Sequence, residues 1–226
     1  MAQSPREDAD MGALDQVDLF AGLEPEQLAA IAGSARLRVF ARGAIIVSEG
    51  DEGLGLFVVQ RGALKAFVVD DSGRELTLSL LGPGEYFGEL ALLDAAPRSA
   101  SVMALERCEL LQISRAAFLA VVEQSPTLML TLLRNLVRRV RSLTDSVRAL
   151  ALVDVFGRVA RLFESLAVER DGHWVIERQL TQQDIANLVG SSREMVNRIL
   201  RDLVIGGYVS VDHHHIVLHR KLPARW

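Results

Sequence analysis

Residues 181–204 read TQQDIANLVGSSREMVNRILRDLV, and this stretch predicts two short helices joined by a turn. Apolar residues recur at helical spacing on both sides of Gly190-Ser191, where the glycine can open the turn. Thr181, with Asp184 three residues further on, forms a capping pattern for the first helix, and Ser192 can cap the second. We therefore predict a helix–turn–helix.

The second helix carries the side-chain types that read base edges in the major groove of DNA. Arg193, Glu194 and Arg198 share its N-terminal, outward side. Arginine can bond guanine N7 and O6 together, and glutamate can accept from cytosine N4. A solvent-exposed pair between Glu194 and Arg198 is the alternative. The predicted DNA-contacting residues, including those that can bond phosphates, are Thr181, Gln182, Gln183, Ser192, Arg193, Glu194, Asn197 and Arg198.

Charge is distributed unevenly along the 226 residues. Residues 1–125 hold 10 Lys+Arg against 19 Asp+Glu, a balance of −9, whereas residues 126–226 hold 15 against 10, a balance of +5. This asymmetry indicates two tasks in one chain, with the basic half as the candidate for binding an anionic polymer. Half of the residues are apolar, which is enough for packed cores and excludes disorder for most of the chain.

Short apolar runs separated by glycines fill residues 36–113: LRVF, AIIV, LGLFVVQ, LKAFVV, LTLSLL, SASVMAL and ELLQI. Short strands at a spacing of roughly 8–12 residues, with turn signals between them, favour an antiparallel sandwich or barrel. DDSGRE at 70–75 predicts a hairpin turn in which Gly73 adopts a positive φ. YVSVDHHHIVLH at 208–219 predicts a second hairpin, with histidines at its tip.

A long helix is predicted to begin at Pro126, because proline suits the first turn of a helix. Its apolar residues alternate in steps of four and three, which is the spacing of a coiled-coil seam. This spacing, flanked by arginines, favours a helix that pairs with its own copy. A helix that buries one stripe against its own domain is the alternative. The predicted dimer-interface residues are Met129, Leu133, Leu136, Val140, Leu143, Val147 and Leu150.

Residues 87–102 read FGELALLDAAPRSASV and hold the polar groups that a nucleotide requires. Gly88 lets a backbone amide approach a ligand closely, Glu89 can accept from ribose hydroxyls, and Arg98 offers a guanidinium to a phosphate. Ser99 adds a hydroxyl donor beside the arginine. A buried ion pair between Glu89 and Arg98 is the alternative interpretation.

Two stretches carry a resemblance to a known family. LTQQDIANLVGSSREMVNRILRDL at 180–203 closely resembles the helix–turn–helix of the catabolite activator (cyclic-AMP receptor) family of bacterial transcription regulators, in the Crp–Fnr superfamily. FGELALLDAAPRSASV resembles the phosphate-binding cassette of cyclic-nucleotide-binding domains. The resemblance implies that Glu89 holds the 2′-hydroxyl and Arg98 the cyclic phosphate. It also implies a palindrome of TGTGA-like half-sites, read by Arg193, Glu194 and Arg198.

The fold class implied by the resemblance is α+β, in three parts. An N-terminal cyclic-nucleotide-binding β-jelly-roll spans 14–125, a long dimerisation helix with a hinge spans 126–152, and a C-terminal winged helix–turn–helix spans 153–226. Residues 1–13 lack apolar periodicity and are predicted to be disordered. The implied partners are double-stranded DNA, a second copy of the chain, a cyclic nucleotide and RNA polymerase.

Departures from the enteric cyclic-AMP receptor bear on the identity of the effector. The interval from Glu89 to Arg98 is one residue shorter and equals that of kinase regulatory subunits. Leu143 stands where the receptor has a threonine that contacts adenine. Thr144 matches the neighbouring serine supplied by the other subunit, and Arg139 matches an arginine near the pocket.

Cyclic AMP remains the first expectation, because one missing hydrogen bond is typically worth about 1 kcal/mol. Cyclic di-GMP, another nucleotide, or no ligand at all are the alternatives. The predicted nucleotide-binding residues are Phe87, Gly88, Glu89, Leu90, Arg98, Ser99, Arg139 and Thr144.

Residue counts and missing motifs disfavour other classes of protein. The single cysteine, Cys108, cannot supply the thiolates of an iron–sulfur cluster, and residues 1–172 contain no histidine for haem. The chain lacks G-x-x-x-x-G-K-[ST], H-E-x-x-H and G-x-S-x-G, so we do not expect an enzyme. A cyclic-nucleotide regulatory subunit that does not bind DNA is a further alternative, and the helix–turn–helix argues against it.

No cofactor or metal site is predicted. The run His213–His215 could bind a transition metal, but a hairpin tip that faces phosphates is favoured. Cys108 is predicted to be a small buried core residue. Because no window reaches the ~18 apolar residues of a membrane helix, and MAQSPREDADMGALDQVD lacks the apolar core of a signal peptide, a cytoplasmic protein is predicted.

Overall fold

The computed structural model describes residues 14, 17–170, 172–212 and 215–223. The chain divides into two compact units. The first comprises Met1–Val68 and Leu78–Arg139, and the second comprises Val69–Thr77 and Val140–Trp226, each within the described residues.

The first unit is a two-sheet sandwich with helices at one side. Its elements are α1 (Pro25–Ser34), β1 (Arg36–Phe40), β2 (Ile45–Val47), β3 (Gly55–Arg61), β4 (Leu64–Val69), β5 (Glu75–Leu81), β6 (Tyr86–Phe87), α2 (Leu90–Leu93), β7 (Ser101–Ala104), β8 (Cys108–Ser114), α3 (Arg115–Gln124) and the start of α4 (Pro126–Leu152). The last residue of β4 and the first three of β5 fall in the segment Val69–Thr77 of the second unit. One sheet has the order β1-β8-β3-β6 and the other β2-β7-β4-β5. The pairs β1–β8, β3–β8, β3–β6, β2–β7 and β4–β7 are antiparallel. The predicted antiparallel sandwich is thereby confirmed.

Strand β3 is buried on both faces, which explains its continuous apolar run. Leu56 and Val58 point into a cluster formed with the helices. Phe57 and Val59 point into the core between the two sheets. Because successive strand residues face opposite sides, one strand supplies both cores.

Local capping residues set where the helices of this unit begin. Pro25 and Pro126 each occupy the first position of a helix, as predicted. The Ser114 hydroxyl accepts from the Ala117 amide and caps α3.

The turn at 70–75 is a hairpin stabilised by one carboxylate. Asp70 accepts from the Ser72 amide, the Ser72 hydroxyl and the Arg74 amide, and Gly73 has φ 81°. The Ser72 hydroxyl, followed by the Arg74 amide, lowers the pKa of the exposed Asp70 carboxyl. The predicted turn is confirmed.

The second unit contains the helix–turn–helix and a small sheet. Its elements beyond α4 are α5 (Val155–Leu166), β9 (Val168–Arg170), β10 (His173–Ile176), α6 (Gln182–Val189), α7 (Arg193–Ile205), β11 (Val209–Asp212) and β12 (His215–Leu218). The four strands form an antiparallel sheet in the order β11-β12-β10-β9. The α5, α6 and α7 helices share one buried core with Ile176, Ile216 and Leu218 of the sheet.

The two helices of the helix–turn–helix are capped as the sequence predicts. Thr181 and Asp184 form a reciprocal capping box at α6, and the Ser192 hydroxyl accepts from the Met195 amide at α7. Gly190 adopts the left-handed conformation with φ 61°, which favours glycine because it has no Cβ. Ala186 and Val196 are fully buried where the helices meet.

Within the described residues, no single helix is long and apolar enough to cross a membrane. Helices α3 and α4 together have the length and apolar composition of a membrane span, but the pair is bent by 107° at the break between the two helices.

Candidate nucleotide and DNA-binding sites

Arg98 stabilises the loop that connects β6 to β7 by two hydrogen bonds to backbone carbonyls. Its Nη1 donates to the Gly88 carbonyl at 2.8 Å and its Nη2 to the Gly55 carbonyl at 2.7 Å. The side chain is buried, and this burial lowers the pKa of the guanidinium. Gly88 has φ 93°, and a Cβ there would overlap Arg98 Nη1. The loop therefore requires glycine at 88 for both conformation and space.

Glu89 lies at the start of α2 and is almost fully buried, with 1% of its surface exposed. One carboxylate oxygen, Oε1, accepts from Nη1 of Arg139 on α4. The other, Oε2, is buried with no hydrogen-bond partner among the described residues, and so is Arg98 Nε. Buried polar atoms without partners are rare in folded proteins. The pair offers an acceptor and a donor at one loop, which suits a ligand with a hydroxyl and an anionic oxygen.

Glu89 and Arg98 do not form the ion pair that was the alternative prediction. Among the described residues, the partner of the Glu89 carboxylate is Arg139, and that of the Arg98 guanidinium is backbone carbonyls. That alternative was wrong: the Arg98 guanidinium bonds the Gly55 and Gly88 carbonyls instead.

The remaining predicted nucleotide-binding residues differ in their surroundings. Ser99 is exposed beside Arg98, and Leu90 is half-buried. The Phe87 ring stacks on Phe57 with centroids 5.1 Å apart, so its side chain belongs to the core between the sheets. The Thr144 hydroxyl donates to the Val140 carbonyl of its own helix, in the part of α4 that belongs to the second unit.

Two residues beside the cassette were not predicted from the sequence. Asn135 Nδ2 of α4 donates to the Tyr86 hydroxyl oxygen at 2.7 Å, and Asn135 Oδ1 accepts from Arg138. Burial raises the pKa of the Tyr86 phenol. No local sequence pattern predicts this contact, because it joins residues 49 positions apart.

Helix α4 buries one stripe and exposes another. Leu128 and Leu132 are buried in the first unit. The predicted seam is exposed at six of its seven positions, with Val140 62% and Val147 65% exposed, and Leu136 is half-buried. Leu130 and Val137 widen this exposed apolar stripe and were not predicted. The stripe of α4 that is buried in the first unit is therefore not the predicted heptad seam.

Helix α7 presents the predicted base-reading face to solvent. Arg193, Glu194, Asn197 and Arg198 are exposed, whereas Val196, Ile199 and Leu200 are buried. The Glu194 backbone amide and the Ser192 hydroxyl lower the pKa of the Glu194 carboxyl, which keeps it ionised. Among the described residues, Glu194 and Arg198 form no ion pair, so the alternative of a simple surface pair is not what the structure shows.

Helix α6 presents the residues predicted to bond phosphates. The Thr181 hydroxyl caps the helix, and Gln182 Nε2 donates to Asn197 Oδ1 of α7 at 3.3 Å. Gln183 Nε2 donates to Asn187 Oδ1 at 2.8 Å. Asn187 is buried and donates to Glu75 Oε1 at 2.7 Å within the second unit. The Asn187 contact was not predicted.

The described histidines and the cysteine form no identifiable metal site. His215 lies exposed in β12, while His213 and His214 are outside the described residues. No group of three His, Cys, Asp or Glu side chains that could hold a metal occurs in the described part of the chain. Cys108 is buried, with Sγ bonded to the Ala63 and Glu106 carbonyls, and burial raises the pKa of its thiol.

Comparison with known families matches both units. Residues 37–125 match the cyclic nucleotide-binding domain, and residues 157–221 match the Crp-like helix-turn-helix domain. A domain that binds a cyclic nucleotide, followed by a helix–turn–helix, defines the class of ligand-responsive transcription regulators. The chain belongs to the catabolite activator (cyclic-AMP receptor) family within the Crp–Fnr superfamily of bacterial transcription regulators.

Three relatives illustrate this membership. The CRP-like cAMP-activated global transcriptional regulator of Mycobacterium tuberculosis is 32% identical over 209 residues, covering 91% of this chain and 93% of the relative. The cyclic AMP receptor protein of Thermus thermophilus is 37% identical over 191 residues, covering 84% and 87%. The structure of the c-di-GMP responsive global regulator CLP of Xanthomonas campestris superposes with a TM-score of 0.74 at 25% identity, covering 87% of this chain and all of that one.

Proposed function

We propose that this regulator is a homodimer that binds cyclic AMP and, when it does, recognises palindromes of TGTGA-like half-sites. The observation that carries the proposal is the pair of buried atoms without partners in the cassette, Glu89 Oε2 and Arg98 Nε. An anionic acceptor and a cationic donor on one loop suit the ribose hydroxyl and the phosphate of a cyclic nucleotide.

In this proposal Glu89 accepts from the 2′-hydroxyl and Arg98 donates to a phosphate oxygen. Arg98 is already fixed by the Gly55 and Gly88 carbonyls, so little side-chain entropy remains to be lost on binding. Arg139, which bonds the same Glu89 carboxylate, lies at the edge of the site. Gly88 leaves room for its backbone amide to approach the ligand.

The proposed dimer forms through the exposed stripe of α4. Seven apolar positions with a spacing of 3.5 residues, most of them in solvent within a single chain, need a partner surface of the same spacing. A second copy offers that surface, because a two-fold axis along the helix pairs each seam with itself.

In the dimer, two α7 helices enter successive major grooves about 34 Å apart, which requires a palindromic site. Arg193, Glu194 and Arg198 contact base edges, and residues such as Thr181, Gln182 and Ser192 contact phosphates and set the register. We propose contacts to RNA polymerase as the route to transcription, in keeping with the family.

Cyclic AMP is preferred as the effector because a relative named as cAMP-activated and another named as a cyclic AMP receptor match along most of the chain. Cyclic di-GMP is the second candidate. The side chain of Leu143 cannot supply the hydroxyl that contacts adenine in the enteric receptor, and the Xanthomonas relative named as c-di-GMP responsive has a similar fold.

Isothermal titration calorimetry with cyclic AMP and with cyclic di-GMP tests the effector assignment. We expect saturable binding of cyclic AMP that is lost when Glu89→Gln is combined with Arg98→Lys. The first change keeps the side-chain size, and the second keeps the positive charge but removes the guanidinium, whose Nη1 and Nη2 bond backbone carbonyls. Arg107→Lys, at an exposed pair with Glu109, is the matched control. Binding of cyclic di-GMP alone would overturn cyclic AMP as the effector, and no binding of either nucleotide would overturn the site.

A further inference from the structure

The face of α4 that packs within the first unit is apolar near the start of the helix and polar further along. Leu128, Leu132, Asn135 and Arg139 follow one another in steps of four, three and four, so they lie on one face of the helix. The first two are buried in the apolar core. The last two contact the turn from Tyr86 to Glu89 through hydrogen bonds.

These two hydrogen bonds attach one turn of the helix to one turn of the cassette. Asn135 bonds Tyr86 and Arg139 bonds Glu89. Arg138 donates to Asn135 Oδ1, and since a guanidinium can only donate, the amide is oriented with Nδ2 towards Tyr86. Tyr86 itself is anchored in β6, which pairs with the central buried strand β3.

The two bonds differ in their relation to the nucleotide. Under the proposed function, Glu89 binds the ribose, so the Arg139 bond lies within the ligand site. The Tyr86 hydroxyl is not one of the proposed ligand contacts. We propose that the bond between Asn135 and Tyr86 is a positioning link, which transmits a movement of the cassette to α4 and thereby to its exposed apolar stripe.

This link rests on the proposed function and adds a specific role to it. Tyr86 and Asn135 are positioning residues, because they act on DNA binding through α4 and not by touching nucleotide or DNA. Loss of the link lowers the factor by which nucleotide raises DNA affinity. The intrinsic affinity for nucleotide stays unchanged, since no ligand contact is removed. By linkage, bound DNA then raises nucleotide affinity by the same reduced factor.

The test compares Tyr86→Phe, Asn135→Leu and the double variant with the wild-type full chain. The nucleotide used is the one, cyclic AMP or cyclic di-GMP, that raises the DNA affinity of the wild-type chain. DNA affinity is measured with and without it, and nucleotide affinity is measured by calorimetry. We expect nucleotide affinity within about twofold of wild type and a gain in DNA affinity reduced about fivefold, as for the loss of one hydrogen bond. The double variant matches the single variants, because all three lack the same bond.

Ser146→Ala is the control, because it removes a hydroxyl whose hydrogen bond, within the described part of the chain, is to the Ser142 carbonyl of the same helix. A role in stability alone would lower the unfolding temperature of Tyr86→Phe and leave its gain in DNA affinity unchanged, which would overturn the link. A loss of nucleotide affinity as large as the loss of the gain in DNA affinity would also overturn the link, because it would make Tyr86 a ligand contact. Additive losses of the gain in DNA affinity in the double variant would overturn it too. A wild-type chain whose DNA affinity responds to neither nucleotide would overturn the proposed function itself, and the link with it.

Discussion

Arg98 stabilises the cassette, in addition to its proposed role as a donor to the nucleotide. Its guanidinium bonds two backbone carbonyls of residues that the sequence separates widely, Gly55 and Gly88. Truncation to alanine would leave both carbonyls without these partners, at about 1–3 kcal/mol for each group that remains buried. For this reason a loss of nucleotide binding in Arg98→Ala would combine a loss of contact with a loss of loop structure, and conservative variants are more informative.

Gly88→Ala provides a cleaner test of the cassette. It forces a Cβ onto Arg98 Nη1 at a residue with φ 93°. Gly84→Ala is the matched control, because Gly84 has φ 83° and no atom near the added Cβ. We expect both variants to lose on the order of 1 kcal/mol in urea unfolding from the positive φ. Gly88→Ala should lose more, because its Cβ displaces the Arg98 guanidinium, and only Gly88→Ala should lose nucleotide binding as well. Equal nucleotide affinity in the two variants would contradict the proposed placement of Arg98.

Arg193→Ala tests base reading on α7. Arg193 is exposed in the first turn of the helix, where a guanidinium can reach a guanine. We expect a loss of about 1–3 kcal/mol on the cognate duplex and relaxed discrimination at one base pair. Gln182→Ala should instead weaken binding to cognate and scrambled duplexes alike. Anisotropy titrations at one salt concentration measure both, and equal losses for Arg193→Ala on the two duplexes would refute base reading.

Residues of the site could be predicted where their pattern is local. Gly88, Glu89 and Arg98 fall within twelve residues and share a recognisable spacing. Gly55, which supports Arg98, and the pair Tyr86 and Asn135 beside the site were missed, because their contacts join distant parts of the chain. Such contacts depend on tertiary packing, and no periodicity or spacing in one stretch of sequence reports them.

At the scale of elements, strand and helix patterns were predictable wherever they were long enough to show a period. The runs of β3, β4 and β5 and the caps of α6 and α7 all lie where the sequence predicts them. The two-residue β6, the four-residue α2 and the three-residue β9 were missed. None of them is long enough to repeat a hydrophobic period several times, so their pattern cannot be told apart from that of a loop.

The exposed stripe of α4 leads to a prediction about assembly. Val140→Glu places a charge at the centre of the seam, where a two-fold axis brings it against its own copy. We expect a folded monomer in sedimentation velocity, because Val140 is exposed in the single chain and its replacement disturbs no core. Arg141→Glu, one residue along on another face of the helix, should remain dimeric. A dimeric Val140→Glu protein would show that the seam is not the interface.

At the scale of the whole molecule, the chain combines a nucleotide cassette and a DNA-reading helix that α4 connects in sequence. A ligand can shift DNA affinity only if it binds one arrangement of the dimer more tightly than another. The cassette contacts α4 through Glu89 and Tyr86, and the exposed seam continues along the same helix. The proposed regulation therefore acts through the pairing of the two long helices, which sets the spacing of the two α7 helices.

The most direct measurement of this account is the affinity of the full chain for a labelled duplex with a TGTGA palindrome, with and without cyclic AMP at one fixed salt concentration. The account predicts that cyclic AMP raises the affinity on the order of tenfold or more, with two protomers bound per duplex and a much smaller gain on a scrambled duplex. An affinity for the palindrome that does not change with cyclic AMP, or that rises equally for the scrambled duplex, would contradict it.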